Sequence, residues 1–229
     1  MSFSAPVEAK SGDQYGRRVS TSESSIEFVE AFIADTPEAL QARRSSLDLG
    51  LIPVSAAAAR TLTLFTRLID ARSVVEIGTG SGVSSLAFFA GMGDSGILTT
   101  VDTEAEHQLA TRDVLKAAGI SHTRYRLITG EALSILPKLR AAAYDIVFID
   151  AEILEYPEYL EEGLRIVRPG GLVILNHALL AGKVADETNF DDDTMIIRDT
   201  LDAARSMAGL TTALIPVGDG LLVCVAPWE

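Results

Sequence analysis

Apolar residues recur at helical spacing early in the chain and gather into short continuous runs further on. Ile26, Val29, Phe32 and Ile33 share one face of a helical pattern that Ser24 or Ser25 would cap. Thr36-Pro37-Glu38 opens a second helix, since proline suits the first helical position. A third runs from Pro53 to Ile69, with Leu62, Phe65, Leu68 and Ile69 on one side. After Ala71 the strand candidates are Val74–Ile77, Ile97–Val101, Tyr125–Ile128, Tyr144–Ile149 and Leu172–Leu175. They are apolar throughout, as parallel strands covered on both faces require, and the segments between them are long enough for right-handed crossovers. Thr103-Glu104-Ala105-Glu106 reads as a capping box and Gly119 as a helix stop. Thr211–Pro216 and Leu221–Ala226 flank Val217-Gly218-Asp219-Gly220, a hairpin signature. The pattern predicts an α/β fold: a mostly parallel, Rossmann-like seven-stranded sheet flanked by helices, closing in an antiparallel hairpin, with extra N-terminal helices. Residues 1–22 form a polar tail, 23–52 the added helices and 53–229 the core of one domain.

Composition narrows the partners. Hydrophobic residues make up 48% of the 229, enough for a full core. Thirty-two acidic residues against 19 basic give a net charge of -13, which repels nucleic-acid backbones and anionic membranes. One cysteine excludes an internal disulfide framework and a multi-cysteine zinc site, and three histidines exclude a histidine-rich metal cluster. No apolar run reaches membrane-span length and no apolar signal core opens the chain, so a cytoplasmic protein is expected.

The chemistry concentrates on Val74-Val75-Glu76-Ile77-Gly78-Thr79-Gly80-Ser81-Gly82, which runs from a strand into a helix. Such glycines turn the backbone tightly and let a ligand approach the main chain. The dinucleotide fingerprint needs a sixth-position glycine, where this chain has Val83, so no diphosphate need be seated. Glu76, just before the loop, can hold a cationic amino group. Asp102 ends the next strand, where a carboxylate can accept both hydroxyls of a ribose. Its alternative role, capping the next helix, falls to Thr103 in the capping box.

These features resemble the class I S-adenosylmethionine-dependent methyltransferases. Phe148-Ile149-Asp150-Ala151, Gly170-Gly171-Leu172, Gly182-Lys183-Val184-Ala185-Asp186 and Gly218-Asp219-Gly220-Leu221-Leu222 narrow the resemblance to O-methyltransferases of the catechol and caffeoyl-CoA type, in their actinobacterial branch. The resemblance implies S-adenosylmethionine as cofactor. Val54 would touch it through its backbone, Glu76 hold the methionine amino group, Gly78 and Thr79 line the methionine segment and Ser84 anchor its carboxylate. Asp102 would bind the ribose, Ala132 frame the adenine, and Asp150 lie beneath the sulfonium and the acceptor oxygen. Asp150, Glu152 and His177 would face a small, phenolic or catechol-like acceptor, with Asp150 and His177 catalytic. A homodimer is the family's habit, its interface drawing on Phe28, Phe32 and Ile33 unless the core covers them.

The chain departs from the family where the chemistry happens. Family members carry Asp-Ala-Asp-Lys followed one strand later by Asp-Asn, which together hold a divalent metal and a proton-accepting lysine. This chain reads Asp150-Ala151-Glu152-Ile153 and Asn176-His177. Ile153 does no proton chemistry, and one metal carboxylate is a neutral amide. Mg²⁺ prefers oxygen ligands and charge neutralisation, and an imidazole shifts preference to Mn, Fe, Co or Zn. Two alternatives stay open: a weak site for such a metal, or none. A phenol of pKa ~10 is ionised in about one molecule per thousand at pH 7, a cost of ~4 kcal/mol that a base must offset. His177 is the candidate base, with a purely structural histidine as the alternative. His107, among Glu104 and Glu106, is expected to be solvated, and His122 has no assigned role. Competing functions are a tRNA methyltransferase, which the charge disfavours, and an S-adenosylmethionine-binding protein without catalysis, which Ile153 and Asn176 would fit.

Overall fold

The structure, a computed structural model, describes residues 22–228. The polar tail, apart from Ser22, lies outside them. Three helices come first: α1 (Glu23–Ala31), α2 (Pro37–Asp48) and α3 (Ala56–Leu68). Each begins where a hydroxyl accepts from a first-turn amide: Ser22 from Ser25, Thr36 from Ala39 and Ser55 from Ala58. The cap of α1 is therefore Ser22. Ser24 and Ser25 lie inside the first turn, their hydroxyls 2.8 and 2.9 Å from that of Ser22. The same capping starts α3 three residues later than Pro53. Glu30 joins α1 to α3 by accepting from the Ala57 amide at 2.9 Å.

The alternating part follows: β1 (Ser73–Ile77), α4 (Val83–Gly91), β2 (Ile97–Asp102), α5 (Ala105–Ala117), β3 (Tyr125–Thr129), α6 (Ala132–Ile135), β4 (Tyr144–Ile149), α7 (Tyr156–Ile166), β5 (Val167–Leu175), α8 (Asp192–Ser206), β6 (Thr211–Ile215) and β7 (Leu221–Val225). The sheet order is β3-β2-β1-β4-β5-β7-β6. The first five strands are mutually parallel, and β7 runs antiparallel to both β5 and β6, as the hairpin signature predicts. Chain order reverses between β1 and β4, which opens a crevice at their carboxyl ends.

The sheet is covered on both faces, which is why its strands read as unbroken apolar runs. Val74, Ile146, Phe148 and Ile174 point into one core with α3 and α4. Val75, Val147, Ile149 and Val173 point into the other with α7 and α8. The alanine run at the start of α3 serves close packing, with Ala57, Ala58 and Ala59 buried. Cys224 on β7 is fully buried, and burial pushes its thiol up to about 12. By contrast α1 buries no residue, and Phe28 and Phe32 stay 68% and 71% exposed. The core therefore does not cover the Phe28, Phe32 and Ile33 face among the described residues. No helix among the described residues is long and apolar enough to cross a membrane.

The capping box before α5 does not form. The helix is capped at Glu104 with no side-chain bond, and Asp102 Oδ1 accepts the Glu104 amide at 2.9 Å. The carboxylate at the strand end reaches that amide first, so Asp102 does part of the capping assigned to Thr103.

Phe148 is fully buried at the centre of the sheet, edge-on to Phe88 with ring centroids 5.6 Å apart. Phe148→Ala should cost ~3–5 kcal/mol of folding stability, transfer and cavity terms together, as read by denaturant unfolding.

Candidate functional site

A cavity of about 750 Å³ lies over the carboxyl ends of the central strands. Its walls come from the glycine loop, the ends of β2 and β4, the segment after β3, residues 51–54 ahead of α3, and His177. Val54, Gly78, Thr79, Ser84, Asp102, Ala132, Asp150, Glu152 and His177 all line it. Of the expected site residues only Glu76 does not.

The glycine loop is set by a close approach of two backbones. Gly78 has φ +87°, and a Cβ there would sit 1.9 Å from the Asp150 carbonyl oxygen. The Asp150 amide in turn donates to the Ile77 carbonyl at 2.8 Å. Gly78 is thus required by the neighbouring strand before any ligand is considered. A second clamp comes from α2. Ser81 Oγ donates to the Ala42 carbonyl at 2.8 Å, and since a hydroxyl has one proton, the short contact between Ser46 and Ser81 has Ser46 as donor.

Glu76 lies fully buried beneath the loop. Ser85 donates to its Oε2 at 2.7 Å, while Oε1 has no partner among the described residues. Burial raises its pKa to about 7 against the pull of the Ser84, Ser85 and Thr100 hydroxyls, and the Asp150 charge adds to the rise. An acid raised in this way takes up a proton on folding. Its contribution to stability is present at low pH and is lost as pH rises from about 4.5 to about 7.

Asp102 is committed on both oxygens. Oδ2 accepts the Thr79 and Gly80 amides at 2.9 and 3.1 Å, and Oδ1 accepts the Glu104 amide and lies 3.0 Å from His107 Nδ1. His107 is not solvated, as the charged neighbours suggested. One turn of α5 brings its ring back over the strand end, where its side chain is 16% exposed and forms part of the cavity wall. The five-residue spacing from Asp102 was the signal available in the sequence.

Val54 is buried, its carbonyl taken by Arg43 Nη1 at 2.6 Å. Ala132 is buried at the start of α6. Glu152 is exposed at the rim and caps the turn Ile153–Glu155, while Ile153 contributes apolar wall. Further along, Tyr159 donates its hydroxyl to Glu155, and burial followed by that hydrogen bond and the Glu155 charge pushes its pKa up.

At the centre, Asn176 Nδ2 donates to Asp150 Oδ1 at 2.9 Å, and His177 Nε2 lies 3.3 Å from the same oxygen. His177 Nδ1 lies 2.7 Å from Asp219 Oδ2. Asp219 belongs to the turn of the closing hairpin, and its carbonyl accepts the Leu179 amide at 2.9 Å. His177 itself has φ +55°, a left-handed conformation that this bonding holds in place. Hydrogen bonding to Asp150 raises the imidazole pKa to about 9, with Asp219 adding to it and burial opposing. Its contribution to stability is therefore full below about 6.5 and lost as pH rises through about 9. Asp219 could be read in the sequence only as a turn residue, because its role appears when the hairpin meets the loop after β5.

These residues do not suit a divalent ion. Asp150 is the single carboxylate where the family has two, and its Oδ1 already lies 2.9 Å from Asn176 Nδ2 and 3.3 Å from His177 Nε2. Among the described residues no group of three His, Cys, Asp or Glu is placed to hold a metal.

A mostly parallel sheet with a glycine loop, an acid closing β2 and a polar centre closing β4 and β5 is the framework of a group-transfer enzyme. The sequence matches the O-methyltransferase family over residues 31–226, and the chain belongs to that family. A protein of Mycobacterium sp. (strain JLS), provisionally named an O-methyltransferase, is 37% identical over 215 residues, 94% of this chain and 98% of that one. The O-methyltransferase TomG of Streptomyces achromogenes, involved in tomaymycin synthesis and solved in complex with SAM, superposes with TM-score 0.80 at 27% identity, covering 88% and 95% of the two chains. The cofactor-bound Rv0187 from MTB gives TM-score 0.80 at 28% identity, covering 90% and 97%.

Gly78→Ala should cost ~1–3 kcal/mol of stability from the forced left-handed conformation alone, and it should displace the loop from Asp150. Thermal unfolding and S-adenosylhomocysteine titration of the variant check the two effects.

Proposed function

We propose that the chain transfers a methyl group from S-adenosylmethionine to a hydroxyl of a small phenolic or catechol-like acceptor. The observation that carries this reading is the unpartnered, fully buried Glu76 Oε1 beneath a glycine loop. A buried carboxylate oxygen left unsatisfied is costly, and a ligand ammonium supplies both charge and N–H donors. TomG, solved with SAM, supports the same cofactor. When bound, S-adenosylmethionine would supply a methyl group activated on a sulfonium: the acceptor oxygen would form the O–CH₃ bond in line as the C–S bond breaks, with the thioether S-adenosylhomocysteine as the leaving group. Residues 78–84 seat the methionine part, Val54 borders it, and Asp102 with Ala132 receives the nucleoside.

The chain's own residues handle the acceptor. Asp150, fixed by Asn176 and by its backbone bond to β1, places the acceptor oxygen, with Glu152 at the rim. His177, oriented by Asp219, takes the acceptor proton at Nε2. At neutral pH His177 and a phenol both hold their protons, so the reactive state has lost one of them. Imidazole beside phenol and imidazolium beside phenolate are the same state by proton count, and either requires deprotonation near the histidine's pKa. The cavity walls carry no Lys or Arg among the described residues, which supports a small acceptor without phosphates over tRNA. The exposed Phe28 on α1 and Phe32 at its C-terminal cap, with ring centroids 5.9 Å apart, support a homodimer in which a second copy covers that face.

Glu76→Gln should weaken S-adenosylhomocysteine by ~1.5–3 kcal/mol through loss of a charge-assisted bond. In the unaltered protein affinity should rise with pH and level off above about 7, because the ligand ammonium needs the carboxylate ionised. The variant should lose that pH dependence, and calorimetry in buffers of different ionisation enthalpy reads the released proton directly. Equal affinity and equal proton release would remove Glu76 from the cofactor site.

For His177, kcat/KM on a catechol panel should climb with pH and flatten above about 9. His177→Ala should lower kcat ~10²-fold or more, erase that inflection and leave S-adenosylhomocysteine affinity unchanged. An inflection that survives in the variant would reassign the base. Chelator should leave the activity intact, and loss of activity rescued by Mg²⁺ would contradict the reading of the Asp150, Asn176 and His177 centre. Light scattering at micromolar concentration should give the mass of a dimer, and a monomer would leave the α1 face without that partner.

A further inference from the structure

Val54 stands in the cavity wall, yet its side chain belongs to the core shared with Ala42, Ala58 and Leu62. What it offers a ligand is therefore main chain. Its carbonyl is taken by Arg43 Nη1 at 2.6 Å, and its amide has no hydrogen-bond partner among the described residues. Pro53, just before it, has no N–H. The wall here thus presents a single free donor, which suits an anionic oxygen.

That polarity depends on Arg43, which comes from α2 behind the wall and does not itself line the cavity. Its Nε donates to Asp35 Oδ2 at 2.6 Å, in the connection between α1 and α2. A guanidinium fork serves a carboxylate and a carbonyl at once, which a single ammonium does less well. Arg43 Nη2 is buried with no partner among the described residues. An unpaired buried N–H costs stability, so folding alone is a poor account of an arginine at this position. The adjacent Ala42 carbonyl accepts Ser81 of the glycine loop, so α2 braces two walls of the cavity.

We propose that Arg43, held by Asp35, is a positioning residue for the cofactor: it ties down the Val54 carbonyl so that the Val54 amide faces the cavity as a donor to the carboxylate of the cofactor's amino-acid part. The inference rests on S-adenosylmethionine being the cofactor. Without the guanidinium the Val54 carbonyl is free to turn, and an acceptor facing the carboxylate repels it.

Two ligands separate this role from plain support of the fold. S-adenosylhomocysteine has the carboxylate, and its decarboxylated analogue keeps the ammonium, thioether and nucleoside. Calorimetry gives the affinity of both for the unaltered protein, Arg43→Met and Arg43→Lys, with thermal unfolding confirming that each is folded. Arg43→Met removes every donor and should bind S-adenosylhomocysteine roughly tenfold more weakly, as loss of one hydrogen bond to a charged group implies. Arg43→Lys keeps one ammonium for two partners and should lose less. Both should bind the decarboxylated analogue as the unaltered protein does. If Arg43→Met does not fold, Arg43→Lys carries the same comparison. An equal loss for both ligands would make Arg43 a support of the fold only, and unchanged affinity for S-adenosylhomocysteine would remove it from the site; either overturns the inference. Failure of the unaltered protein to bind S-adenosylhomocysteine would instead overturn the cofactor reading, and this inference with it.

Discussion

Asp150 is held from three directions. Its amide is bonded to the end of β1, its carbonyl presses on Gly78, and its carboxylate faces Asn176 and His177 from the end of β5. The last of these contacts leads through His177 to Asp219 in the hairpin turn. One residue thus connects the glycine loop, the two central strands and the antiparallel edge. The crevice at the strand reversal is therefore bounded by elements that all meet at this one residue, and fixed placement of that kind is what alignment of two reacting groups requires.

The centre differs from the family's in its charged groups. Where the family places a second carboxylate and a cation, this chain has an amide and an imidazole whose proton is held by two aspartates. The imidazole lies between the carboxylates of Asp150 and Asp219 and offsets part of their charge. Hydrogen bonding to Asp150, with Asp219 adding to it, raises the affinity of that imidazole for its proton.

Much of this was legible in the sequence because the deciding interactions are local or periodic. Apolar runs such as Tyr144–Ile149 need cover on both faces, and Val217–Gly220 can hardly be anything but a turn. The glycine loop and the acids before and after it could be placed by spacing. What escaped depends on contacts between distant segments or on competition among near-equivalent groups. Ser22, Ser24 and Ser25 are all competent caps, and the choice follows from where the backbone turns extended. Thr103 lost its expected role because Asp102 Oδ1 reaches the Glu104 amide. His107 among glutamates reads as a solvated residue until the helix axis is known, and Asp219 gains its partner only across 42 positions of chain.

Cys224 sits in the strand that the hairpin inserts between β5 and β6, sealed from solvent and with a thiol that stays protonated far above neutrality. The chain has no other cysteine. Alkylating and oxidising reagents need a thiolate they can reach, so the folded protein is chemically silent towards them. Any cysteine introduced on the surface would be the one reactive thiol. Fluorophores or spin labels could then be attached at a chosen point without first removing the native residue from the core.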